Sequence, residues 1–360
     1  MRYCFVNYKT NISYSYISMV NIINKIYVIN LDERPDRWRN INLDFIGTGL
    51  KLNRWKGMYG KHLSDDKVNN NTSKLCSIFC TPSMIGIWLS HYNLWQHIVK
   101  HKENNVLILE DDVVPIKDFT NKLKSYWKEI PKDWDMIYLG CHGSCDKDSL
   151  INGVLSTTFN RYNKNVYKNK KLSKHIIKPS FPVGFYAYML SYKGAKKLIN
   201  HPYFKKAKYH IDWSVAMQMM DNNNFKAYAI TPPLIYPDFD NNKSDNMVVS
   251  HKLFEQLFSR IPVSQQLDLQ TLLNLSCLYY RPLSISINCF TILLSIIALI
   301  IGLFVNKHIK TFAIFLIFFQ LLEIAYTKSQ KDKIKMLIFE YIISILFLTI
   351  GYRIHIYLNK

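Results

Sequence analysis

The sequence predicts an α/β domain over residues 22–250, followed by a C-terminal membrane region of three helices. Two observations carry this prediction. Segments with the composition of buried strands alternate with segments of helical periodicity, and three long apolar segments follow near the C-terminus. Such alternation is typical of a mostly parallel sheet with helices on both faces. The 360 residues are enough for one large domain and additional segments.

The individual strands and helices are predicted from local composition. Between Thr81 and His101 apolar residues recur at helical spacing, and a proline near the start of this segment suits the first turn of a helix. A second helix is predicted over Ser191–Ile199, with Ser191 as its N-cap. The predicted strands are Lys25–Leu31, Val106–Glu110, Asp135–Gly140, Gly184–Leu190 and Lys226–Pro237.

Three segments outside these elements are assigned by composition. Residues 1–21 lack the continuous apolar core of a secretory signal and are expected to form a short, poorly packed extension. The polar, basic and aperiodic segment Asn160–His175 is expected to be a surface loop. Residues 251–281 are expected to form a helical linker to the membrane region.

The net charge of +20, from 46 basic and 26 acidic residues, raises the question of a nucleic-acid partner. The basic residues are scattered, without a run of five or six, and no helix-turn-helix, zinc-finger or RNA-binding signature is present. Asn, Ile, Tyr and Phe are abundant together with Lys, as AT-rich coding produces. We therefore expect no nucleic-acid partner.

The chain has seven cysteines, and two pairs of them, Cys76/Cys80 and Cys141/Cys145, are each spaced four residues apart. A four-cysteine zinc site is one interpretation of these pairs. The odd number of cysteines and the lack of a secretory signal instead favour free thiols in a reducing compartment.

Three apolar segments, at about 283–305, 311–327 and 336–358, predict membrane helices. The first contains no charged residue and, at ~1.5 Å rise per residue, is long enough to cross a hydrocarbon core of ~30 Å. The other two each carry one glutamate, Glu323 or Glu340, away from the centre of the segment, where a charge costs less. A buried apolar bundle in a soluble protein is the alternative.

Lysines in the connecting loops predict the orientation of the membrane region. The loop Lys328–Lys335 carries four cations and one anion, whereas the other loop carries two lysines. The more basic loop is usually cytoplasmic, and three spans place that loop on the same side as the N-terminal domain. The domain is therefore predicted to face the cytosol.

Three carboxylates, Glu110, Asp111 and Asp112, end a predicted buried strand in the segment VLILEDDVVP. Charge at such a position is costly unless a cation compensates for it. Ligands of open α/β sheets bind beyond the carboxyl ends of strands, and side chains at i and i+2 of an extended chain point the same way. Glu110 and Asp112 thus predict a site for Mg²⁺ or Mn²⁺ carrying a diphosphate. A solvated loop start is the alternative interpretation.

Polar residues also follow the first predicted strand, in IYVINLDERPDRW. The functional interpretation places Asn30 and one of Arg34 and Arg37 near a nucleotide or its phosphates. The alternative is an ordinary helix start with local ion pairs. Ser90 and His91 lie on the helix that precedes the acidic strand, and the apolar stripe of that helix favours core packing over a pocket-lining role.

Seven motifs occur in order along residues 22–240: VINLDERPDRW, GIWLSHYNLWQHIV, VLILEDD, DWDMIYLG, GFYAYMLSYKGAKKLI, HIDWSV and PLIYP. Together they resemble glycosyltransferase family 25, which includes procollagen galactosyltransferases and bacterial lipooligosaccharide glycosyltransferases. The resemblance implies a GT-A-like nucleotide-sugar-binding fold, a UDP-sugar donor, Mn²⁺ or Mg²⁺ as cofactor, and inversion at the anomeric carbon. It does not cover the apolar C-terminal segments.

The resemblance also implies roles for individual residues. A metal and an arginine neutralise a departing diphosphate, and an inverting displacement needs a base for the proton of the acceptor. Asp212 is the candidate base and Asp135 the second, while a helix N-cap is the alternative role for Asp212. The matching residues are Glu110 and Asp112 for the metal, Asn30, Arg34, Arg37 and Asp111 for the donor, and Asp212 for the downstream acid.

The sequence therefore predicts a membrane-anchored, metal-dependent hexosyltransferase that moves galactose or glucose from a UDP-sugar to an acceptor. The acceptor is expected to be a glycan, a lipid-linked molecule or a protein hydroxyl. A catalytically inactive family member that acts as a membrane scaffold is the alternative, and the intact carboxylate triplet argues against it.

Overall fold

The structure, a computed structural model, describes residues 22–143, 145, 170–219, 224–238, 262–264, 267–274, 276–283, 285–304, 308–327 and 331–359. The chain divides into two compact units, the first within Met1–Ser73, Pro82–Lys243 and Ser264–Gln266, and the second within Lys74–Thr81, Ser244–Val263 and Leu267–Lys360. The predicted extension at residues 1–21, most of the predicted surface loop (160–169) and the start of the predicted linker (251–261) lie outside the described residues.

An eight-stranded sheet forms the centre of the first unit, with the strand order β2-β1-β3-β8-β5-β9-β7-β6. Two further strands, β4 and β10, pair with each other in a small antiparallel sheet. The strands are β1 (Lys25–Asn30), β2 (Asn53–Lys56), β3 (Val106–Glu110), β4 (Val113–Pro115), β5 (Met136–Gly143), β6 (Lys170–Lys171), β7 (Ile176–Lys178), β8 (Pro182–Leu190), β9 (Ala227–Ile230) and β10 (Ile235–Pro237).

The central sheet is mixed, whereas the sequence predicts a mostly parallel one. β1 is parallel to β2 and β3, and β5 is parallel to β9. β8, however, runs antiparallel between β3 and β5, and β7 is antiparallel to both β9 and β6. The prediction was wrong on this point because a run of apolar residues shows that a strand is buried but does not show its direction. As a consequence, the amino end of β8 lies at the same edge of the sheet as the carboxyl ends of β3 and β5.

Seven α-helices lie between Lys25 and Pro237 in the described part of the chain. They are α1 (Pro35–Phe45), α2 (Asp65–Asn71), α3 (Lys74–Phe79), α4 (Pro82–Lys100), α5 (Phe119–Trp127), α6 (Tyr192–Asn200) and α7 (Ile211–Met219). Both helices that the sequence predicts here are present, as α4 and α6. The Ser191 hydroxyl accepts a hydrogen bond from Gly194 N at 2.9 Å, which confirms Ser191 as the N-cap of α6.

The core of the first unit is built around β3 and α4. Val106, Leu107, Ile108 and Leu109 are fully buried between β1 and β8. The apolar stripe of α4 includes Ile85, Trp88, Leu89, Leu94, Trp95 and Ile98, all buried, and α4 packs against α6. Burying one such large side chain stabilises the fold by ~1.5–3 kcal/mol. This packing fixes β3, and with it the position of the carboxylates at its end.

The cysteine pairs form disulfides, Cys76–Cys80 and Cys141–Cys145. The expectation of free thiols is therefore wrong for these four residues, because the fold brings the side chains at each four-residue spacing together. Cys277 and Cys289 are free thiols. The pairing also leaves no four-cysteine zinc site.

From Pro262 onward the described part of the chain consists of short strands and four α-helices, the last three of which are apolar. Short strands and a six-residue helix occupy much of 262–280, where the sequence predicts a helical linker. The elements are β11 (Pro262–Ser264), β12 (Leu267–Asp268), α8 (Leu269–Asn274), β13 (Ser276–Tyr280), β14 (Ile285–Asn288), α9 (Cys289–Phe304), α10 (Ile309–Thr327) and α11 (Lys331–Leu358).

One helix in the described part of the chain, Ile334–Leu358 within α11, is long and apolar enough to cross a membrane. The first predicted span yields a shorter helix, α9, of 16 residues. Asn288 Oδ1 accepts a hydrogen bond from the Thr291 amide at the start of this helix, and the residues before it, Ile285–Asn288, form a strand. At ~1.5 Å per residue the described helix α9 is ~24 Å long, and residues 305–307, which follow it, lie outside the described part of the chain. The structure thus supports one span, and the three-span region is unconfirmed.

The two glutamates of the apolar helices lie in the interior of the second unit. Glu323 is 1% and Glu340 0% exposed, and Glu340 Oε1 lies 2.7 Å from the Thr291 hydroxyl. Gly302 and Gly351 lie where α9 and α11 approach most closely, since a Cβ at either position would meet the backbone of the other helix at 2.3 Å. Small residues at such contacts are typical of tightly packed apolar helices.

Candidate active site

The three carboxylates of the acidic segment lie where β3 ends. Glu110 is the last residue of β3 and is paired in register with Ile29 of β1. Asp111 and Asp112 form the turn into β4. The backbone oxygen of Asp112 accepts a hydrogen bond at 2.7 Å from the amide of Asp238, the residue that follows β10. Neighbouring strand ends and a short antiparallel pair therefore hold this turn on both sides.

Asn30, at the end of β1, fixes Asp111. Its Nδ2 donates to Asp111 Oδ2 at 2.7 Å and to the backbone oxygen of Arg34 at 2.8 Å. Its Oδ1 accepts from Arg54 Nε at 2.7 Å. With these contacts Asn30 acts as a buried connector between β1, β2 and the acidic turn. The predicted contact of Asn30 with a nucleotide stays a prediction.

Arg37 is the cation that the structure places against the acidic turn. Its Nη1 donates to Asp111 Oδ1 at 3.1 Å and to Asp112 Oδ2 at 3.2 Å, and its side chain is 6% exposed. Arg34, in contrast, pairs with Asp36 at 2.9 Å and lowers the pKa of that carboxyl to about 2. Arg37, a residue of α1, thus supplies part of the positive charge that was expected to compensate for the acidic turn.

One arginine does not compensate for three carboxylates, of which Asp111 is buried while the side chains of Glu110 and Asp112 are 30% and 23% exposed. Burial, with the charges of Asp111 and Asp212, raises the pKa of Glu110 to about 7. Burial and the charge of Glu110 raise the pKa of Asp112 to about 7, although Arg37 opposes this shift. Burial also raises the pKa of Asp111, against the effects of Arg37 and Asn30. The turn therefore retains excess negative charge, which further positive charge would relieve.

Asp212 lies beside this turn on the first turn of α7. Its Oδ2 accepts from Gly184 N at 2.7 Å and its Oδ1 from Trp213 N at 2.8 Å. Gly184 belongs to β8, whose amino end lies next to the end of β3, and it has a left-handed φ of +84° that favours glycine. Asp212 is the second residue of α7, so it is not the N-cap of that helix.

Asp135, the second candidate base, lies at the other edge of the sheet. It precedes β5, and the first residue of β5, Met136, pairs with Leu190 at the far end of β8. Asp135 Oδ2 accepts from Lys226 N at 2.8 Å and contacts Lys197 Nζ at 2.5 Å, and the residue is fully buried. The structure therefore separates Asp135 from Glu110 by the length of a strand.

The sequence did not single out Arg54 or Tyr188, and for His91 it favoured core packing over a pocket-lining role. Arg54, on β2, donates from Nε to Asn30 Oδ1 and from Nη2 to Asp32 Oδ1, each at 2.7 Å. His91 is buried on α4 with Nε2 3.5 Å from Glu110 Oε1, and Tyr188 lies against the other ring nitrogen. His91 is part of the motif GIWLSHYNLWQHIV, but the apolar stripe of α4 made a core-packing role the favoured interpretation.

A divalent cation is compatible with this donor set, although the protein side chains alone do not form a complete cage. Within the described ranges no group of three or more His, Cys, Asp or Glu side chains has the arrangement of a metal site. Glu110 and Asp112 offer two carboxylates with raised pKa values, which a cation would lower. Mg²⁺ and Mn²⁺ are often held by one or two carboxylates and completed by water and phosphates.

Comparison with known proteins assigns a family to this fold and site. The family model described as "Glycosyltransferase family 25 (LPS biosynthesis protein)" matches residues 23–215, more than half of the chain. This match contains β1, the acidic turn and Asp212, and it ends inside α7.

Three curated relatives have names that agree with this family. A "Procollagen lysyl hydroxylase and glycosyltransferase" of Acanthamoeba polyphaga mimivirus is 30% identical over 51% of this chain and 20% of the relative. A "Glycosyltransferase 25 family member" of Aedes aegypti is 25% identical over 60% of this chain and 36% of the relative. "Procollagen galactosyltransferase 1-B" of Xenopus laevis is 24% identical over 59% of this chain and 36% of the relative. The chain thus spans between a fifth and about a third of the length of these relatives. It belongs to glycosyltransferase family 25.

Proposed function

We propose that this chain is a glycosyltransferase that moves a hexose, galactose or glucose, from a UDP-sugar to a hydroxyl acceptor with inversion. The observation that carries the proposal is the gathering of Glu110, Asp112 and Asp212 at one edge of the sheet, with excess negative charge on the acidic turn. The family of the chain supports the same reaction class.

The acidic turn is suited to hold a divalent cation. When bound, such a cation supplies the positive charge that stabilises a departing diphosphate. Glu110 and Asp112 would hold it, while Arg37 and Asn30 keep Asp111 and the turn in a fixed position. Preorganised charge of this kind lowers the barrier because it need not reorganise during the reaction.

Asp212 is suited to act as the base. Each of its oxygens accepts one backbone amide, which orients the carboxylate and leaves a second lone pair on each oxygen. As the acceptor oxygen forms its bond to the anomeric carbon, the bond from that carbon to the diphosphate breaks on the opposite face of the sugar. The acceptor proton passes to Asp212, and UDP leaves with the bonding electrons.

The acceptor is proposed to be a glycan, a lipid-linked molecule or a protein hydroxyl. The names of two of the relatives contain the word procollagen, which favours a protein hydroxyl, but those relatives are much longer than the matched region. An apolar helix at Ile334–Leu358 favours an acceptor at a membrane surface.

A donor assay tests the proposed function. Full-length protein in detergent is incubated with UDP-galactose or UDP-glucose, and UDP release is measured in EDTA and after addition of Mn²⁺. We expect release with at least one donor in Mn²⁺ and a loss of at least ~100-fold in EDTA, since the leaving group then lacks its counter-charge. If no UDP is released from any UDP-sugar, the proposal is contradicted and a scaffold role is favoured. Equal rates in EDTA and Mn²⁺ would remove the metal from it.

We propose that Ile334–Leu358 anchors the chain in a membrane, and that the first unit faces the cytosol as the basic loop predicts. The two disulfides are the contrary observation, because disulfides persist mainly in oxidising compartments. In sealed microsomes we expect carbonate-resistant membrane association and digestion of the first unit by external protease. Protection of the unit, or a glycan on Asn71 in its Asn-Thr-Ser acceptor sequence, would overturn the orientation. Extraction by carbonate would overturn the anchor.

A further inference from the structure

A continuous row of polar contacts runs through the core of the first unit from α4 to the acidic turn. Trp95 Nε1 donates to the Tyr188 hydroxyl at 2.8 Å, and this hydroxyl lies 2.9 Å from His91 Nδ1. The other ring nitrogen of His91, Nε2, lies 3.5 Å from Glu110 Oε1. Trp95, Tyr188 and His91 are at most 1% exposed. The row therefore ends on one of the two carboxylates that would hold a cation.

Counting hydrogens fixes the direction of this row. An indole N–H can only donate, so the Tyr188 oxygen accepts from Trp95. The Tyr188 hydrogen then needs an acceptor, and in the described part of the chain that acceptor is His91 Nδ1. An imidazole that accepts at Nδ1 carries its hydrogen on Nε2, the ring nitrogen that lies 3.5 Å from Glu110 Oε1. The reverse assignment would leave the buried Tyr188 hydrogen without a partner, at a cost of ~1–3 kcal/mol.

Glu110 is the carboxylate of the turn that needs this contact. Asp111 is held by Asn30 and Arg37, and Asp112 by Arg37. Within the described residues, the side chain of Glu110 has its polar contact with His91. A separation of 3.5 Å is at the long limit for a hydrogen bond, and such contacts often shorten when the ligand binds.

We propose that His91 is a positioning residue that holds Glu110 for a divalent cation, in a tautomer set by Tyr188 and Trp95. The inference rests on the proposed function. With Nε2–H directed at Oε1, the second oxygen of Glu110 remains available to the cation. Residues that hydrogen-bond a metal ligand in this way commonly change metal affinity by ~10- to 100-fold when they are replaced.

Mn²⁺ affinity, measured by electron paramagnetic resonance on full-length protein in detergent, tests the proposal. His91→Phe keeps a buried ring but removes both nitrogens, and we expect it to bind Mn²⁺ at least ~10-fold more weakly. Tyr188→Phe removes the hydroxyl that sets the tautomer, and we expect a smaller loss of affinity. His91→Gln retains an N–H donor and should recover most of the affinity that His91→Phe loses.

Trp88→Phe is the matched control, because Trp88 is a buried ring on the same helix and lies 1% exposed. It should lower thermal stability without changing Mn²⁺ affinity. If His91→Phe likewise loses stability but binds Mn²⁺ as the wild type does, His91 is only a packing residue and the inference fails. If wild-type protein turns over UDP-sugar but does not bind Mn²⁺, the metal is removed from both proposals while the transfer reaction stands.

A second measurement reads the tautomer without any metal. In protein labelled with ¹⁵N-histidine, the two ring nitrogens of His91, assigned by comparison with His91→Gln, have different shifts in the two neutral tautomers. We expect the metal-free wild type to carry its hydrogen on Nε2 and Tyr188→Phe to lose this preference. A hydrogen on Nδ1 in the wild type would overturn the row of contacts.

Discussion

Asp112→Ala is expected to lower metal-dependent transfer by at least ~100-fold and to leave the fold intact. The side chain contributes one of the two carboxylates proposed to hold the cation, and its backbone continues into β4 without needing that carboxylate. Arg37 keeps its contact with Asp111 in the variant. UDP release in Mn²⁺ and circular dichroism measure the two expectations.

The same variant is expected to be more stable than the wild type when metal is absent and the pH is above 7. Glu110 and Asp112 have pKa values raised to about 7 from 4.5 and 3.8. A carboxyl with a raised pKa holds its proton more tightly in the folded state, so its contribution to stability is full below pH ~4 and is lost as the pH rises to ~7. The melting temperature of metal-free wild type should therefore fall over this range. Asp112→Ala should flatten that fall.

Each kcal/mol of recovered stability corresponds to ~2–4 °C in a unit of this size. Mn²⁺ should stabilise the wild type at pH 7.5 and much less at pH 5, where protons compete with the cation. Asp66→Ala, which removes an exposed carboxylate from α2, is the control and should change neither activity nor the pH dependence. Wild-type turnover by Asp112→Ala in Mn²⁺ would show that Asp112 does not hold the metal.

Asp212→Asn is expected to lower the transfer rate by ~10²- to 10⁴-fold while UDP-sugar still binds. Asparagine preserves the size of the side chain and can keep one carbonyl oxygen for the Gly184 or Trp213 amide. It has no basic oxygen for the acceptor proton. The expected signature is a fall in kcat with little change in KM for the donor, measured by transfer to a sugar acceptor.

Asp135→Asn separates the two candidate bases. Asp135 is buried and contacts Lys197 and the Lys226 amide, so its replacement should cost ~3 kcal/mol or more by leaving a charged partner uncompensated. Since it lies at the opposite sheet edge, kcat of the folded fraction should stay within a few-fold of wild type. A collapse of kcat in Asp135→Asn with normal turnover in Asp212→Asn would reverse the assignment.

Local sequence signals were sufficient for the elements that carry the candidate site. The continuous apolar residues of Val106–Glu110 predict a strand that is buried on both faces. The prediction is confirmed, since β3 has the same bounds. The long periodic segment became α4, and Ser191 capped α6, because both signals act within one turn of the chain. The resemblance of the motifs to glycosyltransferase family 25 agrees with the family assignment.

Signals that depend on distant residues were misread or missed. Composition does not show the direction of β8, yet that direction brings Gly184, and through it Asp212, to the acidic turn. Asp135 precedes β5 whereas Glu110 ends β3, and the register of both strands against β8 places the two carboxylates at opposite edges of the sheet. One local signal was also missed: the apolar segment from Leu283 predicts a full span, but Asn288 accepts a hydrogen bond from the Thr291 amide and the helix begins at Cys289.

Composition and motif order were enough to predict a buried strand that leads into Glu110, Asp111 and Asp112, the apolar segments that follow, and membership of glycosyltransferase family 25. These properties are local, since each depends on residues close in the chain or on the order of motifs. Three features became evident from the folded chain alone: Arg37 lies against Asp111 and Asp112, His91 lies near Glu110, and four cysteines are paired. Such contacts depend on how strands and helices pack in three dimensions, and buried charge is stabilised by whichever partners that packing brings within ~4 Å.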